Sequence, residues 1–324
     1  MSDQLQAIVF PSRFYAWALN TQEQFSLNDN ATLITEGDEG KDLYVLIDGQ
    51  GVVTTQGGDG QRVELAQLEA GQILGDMSFL EKRPTVATVI GRAGSRWIRI
   101  PFAALVAAIE ADLELAADFY NVLARKLALQ LQGQNALVHR WQSSEIEPLR
   151  KVLLVFGELE DLDIDWLSRQ GQVVHQQPGE ALIEQGSALD QLWIVLQGDA
   201  DVFLLNDEQR QQVGSSRRGE LLGEMALLSD DGQATASVVA SNRMQLLAVP
   251  HGQLKQRMAS DAAFSARFHR AIAMLLSHRG RDQLMRHGLA SRDAANEAID
   301  LDTLDSISQA GRRFDWLCRQ LATA

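Results

Sequence analysis

The sequence predicts a mainly β chain: two tandem barrels or sandwiches, each followed by α-helices, with a helical tail at the end. Three observations carry this. One series of short apolar runs occurs twice in register. Gly and Asp-Gly turns separate the runs. After each series the apolar period changes from two to about 3.6.

The repeat is legible residue by residue. Leu33-Ile34 returns as Leu182-Ile183, and Glu36-Gly37 as Gln185-Gly186. Leu43-Tyr44-Val45-Leu46-Ile47-Asp48-Gly49 returns as Leu192-Trp193-Ile194-Val195-Leu196-Gln197-Gly198. Gly71 to Met77 returns as Gly219 to Met225, and Pro101 as Pro250. The offset is 149 at Gly37 and 148 at Gly71. Chance does not hold register over so many elements, so the chain carries a tandem duplication. Domain limits of 1–143, 144–280 and 281–324 follow.

The elements run in this order. Phe14 to Leu19 has a modest helical pattern. Thr32–Thr35, Leu43–Ile47, Gly51–Thr55, Val63–Leu68, Val86–Ile90 and Trp97–Ile100 read as strands, with Asp48-Gly49 and Gly57-Gly58-Asp59-Gly60 as turns. Phe102–Ile109 and Leu113–Leu131 read as helices; Phe119, Leu123, Leu127 and Leu131 form one stripe. Ser144–Phe156 and Asp163–Arg169 look helical. The second series has strands at Ala181–Ile183, Leu192–Leu196, Ala200–Leu205, Ala236–Val239 and Gln245–Val249, then helices at Gln253–Met258 and Phe264–Ser277. Arg292–Ile299 and Thr303–Leu321 form the helical tail.

Composition narrows function. A formal net charge of -14 disfavours non-specific binding to DNA, RNA or anionic lipid. The one cysteine, Cys318, excludes an internal disulfide and a Cys-based metal site. No apolar stretch approaches the roughly 20 residues of a membrane helix, and the first residues lack a signal-peptide pattern. A cytoplasmic location is expected.

Two stretches point to a site. Gly75-Asp76-Met77-Ser78 and Gly223-Glu224-Met225-Ala226 each follow an apolar strand end and open like a short helix. Gly permits a tight turn there, and the amides beyond it are unpaired donors suited to an anion. Glu224 is a carboxylate placed to take sugar hydroxyls.

These residues resemble the cyclic-nucleotide-binding domain family, found in catabolite activator proteins and in regulatory subunits of protein kinase A. The likeness covers most of residues 30–131 and 175–278, with phosphate-binding cassettes at Gly75–Val89 and Gly223–Val238. It implies an eight-stranded, jelly-roll-like β-barrel in each repeat, followed by helices. It also implies that Glu224, or the shorter Asp76, holds a ribose 2′-hydroxyl. An Arg ten residues after the cassette Gly pairs with the phosphate in that family. Here the position holds Thr85 in the first cassette and Gln233 in the second, followed by Ala234 and Thr235. Losing a charge-assisted pair costs about 1.5–3 kcal/mol, roughly tenfold to a hundredfold in affinity. Arg83 lies two residues before the vacant position; a solvated loop arginine is the plainer reading of it.

Other features read as structure. Asp161-Leu162-Asp163-Ile164-Asp165 has the first spacing of a calcium loop, but Trp166 and Gln172 replace its Gly and Glu, so an acidic helix start is expected. The six histidines lack zinc spacing. Ser215-Ser216-Arg217-Arg218 reads as a solvated loop. Tyr44, Trp97 and Trp193 read as core. No catalytic set is present, so a non-catalytic regulatory protein is expected, with no metal. Its ligand would be a cyclic nucleotide (cAMP or cGMP) or a related nucleotide. Glu224 and Ala226 make the second cassette the better candidate. The alternative is a pseudo-receptor that serves as an interaction module. Either way a protein partner or homo-oligomer through the helices is expected, and DNA is not.

Overall fold

The first helix starts where its sequence can cap it. In the computed structural model, which describes residues 12–57, 61–135, 155–206, 209–286 and 301–322, α1 is Arg13–Thr21 with Ser12 as N-cap. The Asp118 carboxylate accepts from Ser12 Oγ at 2.5 Å and from the Phe14 amide at 2.8 Å. The chain divides into two units: Met1–Leu123 with Ser277–Ala298, and Ala124–Leu276 with Ile299–Ala324.

In the first unit the strands are β1 (Glu23–Ser26), β2 (Ala31–Ile34), β3 (Asp42–Asp48), β4 (Gly51–Gln56), β5 (Arg62–Leu68), β6 (Ile73–Leu74), β7 (Thr88–Gly91) and β8 (Arg96–Pro101). A short helix α2 (Asp76–Glu81) interrupts them between β6 and β7. They form two antiparallel sheets, ordered β1-β8-β3-β6 and β2-β7-β4-β5. Leu46, Leu74 and Trp97 from one sheet meet Leu68 and Val89 from the other to make the core. Burying these side chains supplies most of the driving force for the sandwich. Gly57 N donates to Gln61 O at 2.8 Å and joins β4 to β5 as a hairpin.

The second unit repeats the plan. Helix α5 (Asp161–Gln170) precedes β9 (Gln172–Gln176), β10 (Ala181–Ile183), β11 (Gln191–Gln197), β12 (Ala200–Asn206), β13 (Gln209–Ser216), β14 (Leu221–Leu222), α6 (Glu224–Leu228), β15 (Ser237–Ala240) and β16 (Met244–Pro250). The sheets are ordered β9-β16-β11-β14 and β10-β15-β12-β13. Trp193, Val195, Leu222, Val238 and Leu246 lie in their shared core.

Each repeat has the eight strands expected, but the sheets do not close into a barrel. The two-residue strands β6 and β14 end one sheet in each repeat, and so short a ladder cannot carry the pairing round to the other sheet.

Helices follow both sandwiches: α3 (Phe102–Ala111) and α4 (Leu113–Asn135), then α7 (His251–Ser260) and α8 (Ala262–Arg286). The breaks fall at Asp112 and Asp261. Asp112 Oδ1 accepts from the amides of Glu114 and Leu115, and Asp261 Oδ1 from that of Phe264. Each aspartate therefore starts the next helix. Phe119, Leu123, Leu127 and Leu131 are all buried.

In the tail, α9 (Leu301–Ala322) matches the expected 303–321 helix. It docks on its own unit through Phe314 against Phe156, 5.0 Å between ring centres, and through Arg313 on Asp161 at 2.8 Å. The expected helix at 292–299, and most of that at 144–156, lie outside the described residues. Among the described residues no helix is long and apolar enough to cross a membrane.

Candidate functional site

The turn glycines are required by backbone geometry. Gly75 and Gly223 have φ of +87° and +86° and cap the N-termini of α2 and α6. A Cβ at Gly75 would stand 2.6 Å from the Asp42 carbonyl oxygen, and one at Gly223 2.8 Å from that of Gln191. Gly75→Ala and Gly223→Ala are each expected to lower stability by about 1–3 kcal/mol, read as a drop in the thermal midpoint.

The cassette carboxylates are covered. Asp76 and Glu224 are each 3% exposed, and Met77, Ser78, Met225 and Ala226 are buried beside them. Burial, with the nearby charges of Asp118 and Asp76, pushes the Tyr15 phenol above its usual range. The Tyr15 hydroxyl donates to Gly71 O at 2.7 Å. Thr235 directs its hydroxyl at Met225 Sδ, 3.6 Å away.

Hydrogen bonds fix which residues correspond between the cassettes. Gly37 N donates to Thr85 O at 2.9 Å, and Thr85 N to Asp38 O at 2.9 Å. In the second repeat Gly186 N donates to Ala234 O at 2.8 Å, and Ala234 N to Ser187 O at 2.8 Å. Gly37 and Gly186 are equivalent, so Ala234 takes the place of Thr85. Counting along the chain assigns that place to Gln233, which is a correction of one residue. The extra residue of the second repeat lies before this point. It lets Leu189 N bond to Gly232 O at 2.9 Å and lets Ala188 bridge to Gln233. Gln233 itself is exposed.

A cavity of about 370 Å³ opens beside the first cassette. Leu33, Ile34 and Tyr44 form its apolar side. Thr35, Asp38, Glu39, Gly40, Lys41 and Asp42 form the loop side, and Gly75 and Thr85 the cassette side. The Thr85 hydroxyl donates to Thr35 O at 2.5 Å and also stands 3.2 Å from Asp38 O. The Asp42 carboxylate is taken by Arg99 at 3.0 Å. Of the sequence-derived candidates in the first repeat, the fold brings Gly75 and Thr85 to the cavity. Asp76, Met77, Ser78 and Arg83 do not line it.

Comparison with known proteins fits this architecture. The family model described as "Cyclic nucleotide-binding domain" matches residues 24–112 and again 173–261. The chain belongs to this family. Among curated relatives, a cAMP-dependent protein kinase regulatory subunit of Mucor circinelloides f. lusitanicus is 25% identical over 71% of this chain and 47% of the relative. One from Mycosarcoma maydis is 31% identical over 36% of this chain and 22% of the relative. The chain thus spans about half or less of the curated relatives it matches. Among solved structures, the regulatory domain of Toxoplasma gondii PKA with cAMP is 19% identical, covering 86% of this chain and 96% of that one at a TM-score of 0.33.

The first cyclic nucleotide-binding domain has a feature that spacing did not reveal. Glu81, the last residue of α2, has a side chain 0% exposed. Arg281 Nε from α8 donates to its Oε2 at 2.5 Å, and Ser277 Oγ to its Oε1 at 2.5 Å. Arg281 Nη1 also donates to Pro84 O at 3.2 Å. Arg83 Nη1 stands 3.7 Å from Glu81 Oε2, with the Arg83 side chain only 6% exposed. The solvated loop arginine expected at 83 is instead a buried one, drawn inward by the Glu81 charge. Tyr44 also departs from expectation: it is half-buried and borders the cavity, whereas Trp97 and Trp193 are core. The Ser215–Arg218 stretch is part strand, and Arg218 reaches Asp315 at 3.3 Å and the Phe314 ring at 5.1 Å.

The loop residues Thr35 to Asp42 were missed as site residues, although Glu36-Gly37-Asp38 is part of the repeat. Their signal was available: the second repeat has Asp190 where the first has Lys41. The bond from Phe102 N to Lys41 O and that from His251 N to Asp190 O fix the equivalence.

Proposed function

We propose that the chain is a non-catalytic regulatory protein whose first domain takes up a small nucleotide-related ligand. Occupancy would bias the position of the helices α3 and α4 that follow it. The observation that carries this reading is the cavity bounded by Gly75 and Thr85 of the cassette and by the Thr35–Asp42 loop. It falls in the size range of a small-molecule site, with a mainly polar lining and an apolar side at Leu33, Ile34 and Tyr44. The second cassette is the weaker candidate, despite Glu224. Its loop is bonded to the cassette at Gly186 and Ala234 as the first loop is at Gly37 and Thr85, with one further bond from Leu189 N to Gly232 O, and Asp190 replaces the lysine. The extra bond and the lost lysine favour the alternative role for this repeat, a structural or interaction module without ligand. The curated relatives are kinase regulatory subunits, so a partner polypeptide belongs to the proposal, as does a cytoplasmic location.

A thermal-shift screen of the purified chain against cyclic nucleotides and nucleosides tests the reading. A ligand at a hundred times its Kd stabilises the native state by about 2.7 kcal/mol, and a raised midpoint is expected. No shift with any compound at millimolar concentration contradicts it.

A further inference from the structure

Granting that the first domain is a sensor, we infer that its cavity takes an uncharged, hydroxyl-bearing ligand of nucleoside size in preference to a cyclic phosphate. The lining decides this. Asp38, Glu39 and Asp42 bring three carboxylates to the wall against the single ammonium of Lys41. Arg99 pairs with Asp42, so the other charged lining residues are the exposed Asp38 and Glu39 against Lys41. A phosphodiester entering here loses hydration and meets net negative charge.

The two guanidiniums that flank the cassette cannot answer it. Arg281 is bound to Glu81 at 2.5 Å, and Arg83 stands 3.7 Å from the same carboxylate. Withdrawing Arg281 would leave the buried Glu81 charge without its closest cation, and Arg83 is held towards the same carboxylate. At the cassette wall itself the side chain is Thr85, whose hydroxyl already donates to Thr35 O.

An uncharged nucleoside meets none of these obstacles. Its hydroxyls donate to carboxylates, a strong and short kind of hydrogen bond. Leu33, Ile34 and the half-buried Tyr44 offer the base an apolar side. The second repeat does not offer the same site, because Ala234 and Asp190 replace Thr85 and Lys41 and Leu189 N adds a bond to Gly232 O.

Isothermal titration of the full chain with adenosine, guanosine, cAMP and cGMP tests the inference, alongside Thr85→Arg and Asp38→Asn. The expected result is that a nucleoside binds wild type at least tenfold more tightly than the matching cyclic nucleotide. Thr85→Arg should narrow or reverse that gap by raising cyclic-nucleotide affinity about tenfold to a hundredfold. Asp38→Asn should weaken nucleoside binding severalfold with no change in the thermal midpoint. Tighter binding of a cyclic nucleotide to wild type overturns the ligand class but leaves the sensor reading standing. A folded wild type and a folded Thr85→Arg that both bind none of the four compounds overturn the sensor reading itself.

Discussion

Arg281→Ala is expected to destabilise the first unit by about 3–5 kcal/mol, because it leaves the Glu81 carboxylate buried without its closest cation. Arg281 is 1% exposed, and its Nε lies 2.5 Å from Glu81 Oε2. The geometry also ties Ser277 Oγ and Pro84 O into the same cluster. Arg83, at 3.7 Å, recovers only part of the loss. Glu81→Ala should cost a similar amount by stranding Arg281. Glu81→Leu combined with Arg281→Met should cost far less than the sum of the two single changes, since an apolar pair of similar volume removes both buried charges. Hydrogen exchange of the amides at 76–86 reads the effect locally, which suits a chain of two units where one global unfolding energy is ill defined. Equal protection in wild type and Arg281→Ala would show that the clasp does not hold the cassette.

Asp163→Ala is expected to destabilise the second unit by a comparable 3–5 kcal/mol, lowering its midpoint by about 6–20 °C. Asp163 is 0% exposed and serves three groups. Its Oδ2 accepts from the Glu160 amide at 2.9 Å and so caps α5. Arg257 Nη2 donates to Oδ1 at 3.0 Å. Arg267 forks onto both oxygens, at 2.7 and 3.1 Å. That bond, opposed by partial burial and reinforced by the Asp163 charge, holds the Arg267 pKa above its usual value. Arg257 in turn lies over the Trp166 and Phe264 rings, at 4.7 and 4.2 Å from their centres. Removing the carboxylate therefore uncaps a helix and leaves two partly covered arginines with only their longer contacts, Arg257 to Asp261 at 3.7 Å and Arg267 to Glu160 at 3.4 Å. Asp163→Asn keeps the cap but loses both ion pairs, so its loss should fall between wild type and alanine. Differential scanning calorimetry distinguishes the three proteins, and alanine and wild type melting together would contradict the argument.

Most of the fold was legible because the duplication wrote it twice. The strand glycines Gly37, Gly49, Gly71 and Gly75 recur as Gly186, Gly198, Gly219 and Gly223, and all have positive φ. Each marks a turn that other residues enter only with strain. The edge strands β1 and β9 were not legible. Their sequences, Glu-Gln-Phe-Ser and Gln-Val-Val-His-Gln, are short and largely polar, so alternation gives little signal. The acidic run at 161–165 was legible as a helix start, since carboxylates suit the first turn. Its arginine partners were not, because Arg257 and Arg267 come from elements some hundred residues further on.

The candidate site was legible in part. Gly75 followed from the repeat, and Thr85 from the resemblance to the family's cassette. The match of Ala234 to Thr85 did not, because a one-residue insertion in the second cassette is placed by cross-loop hydrogen bonds, which linear counting cannot see. The Glu81 clasp was hidden for the same reason, with its partner 200 residues away. Arg83 looked solvated because its type is mostly exposed, yet a buried carboxylate nearby outweighs that preference.

The most direct test of the account is hydrogen exchange of the full chain with and without saturating guanosine. Added protection at residues 35–42 and 75–85, with no change at 186–190 and 223–234, is the result the account requires. Protection confined to 223–234 would place the ligand in the wrong domain and contradict it.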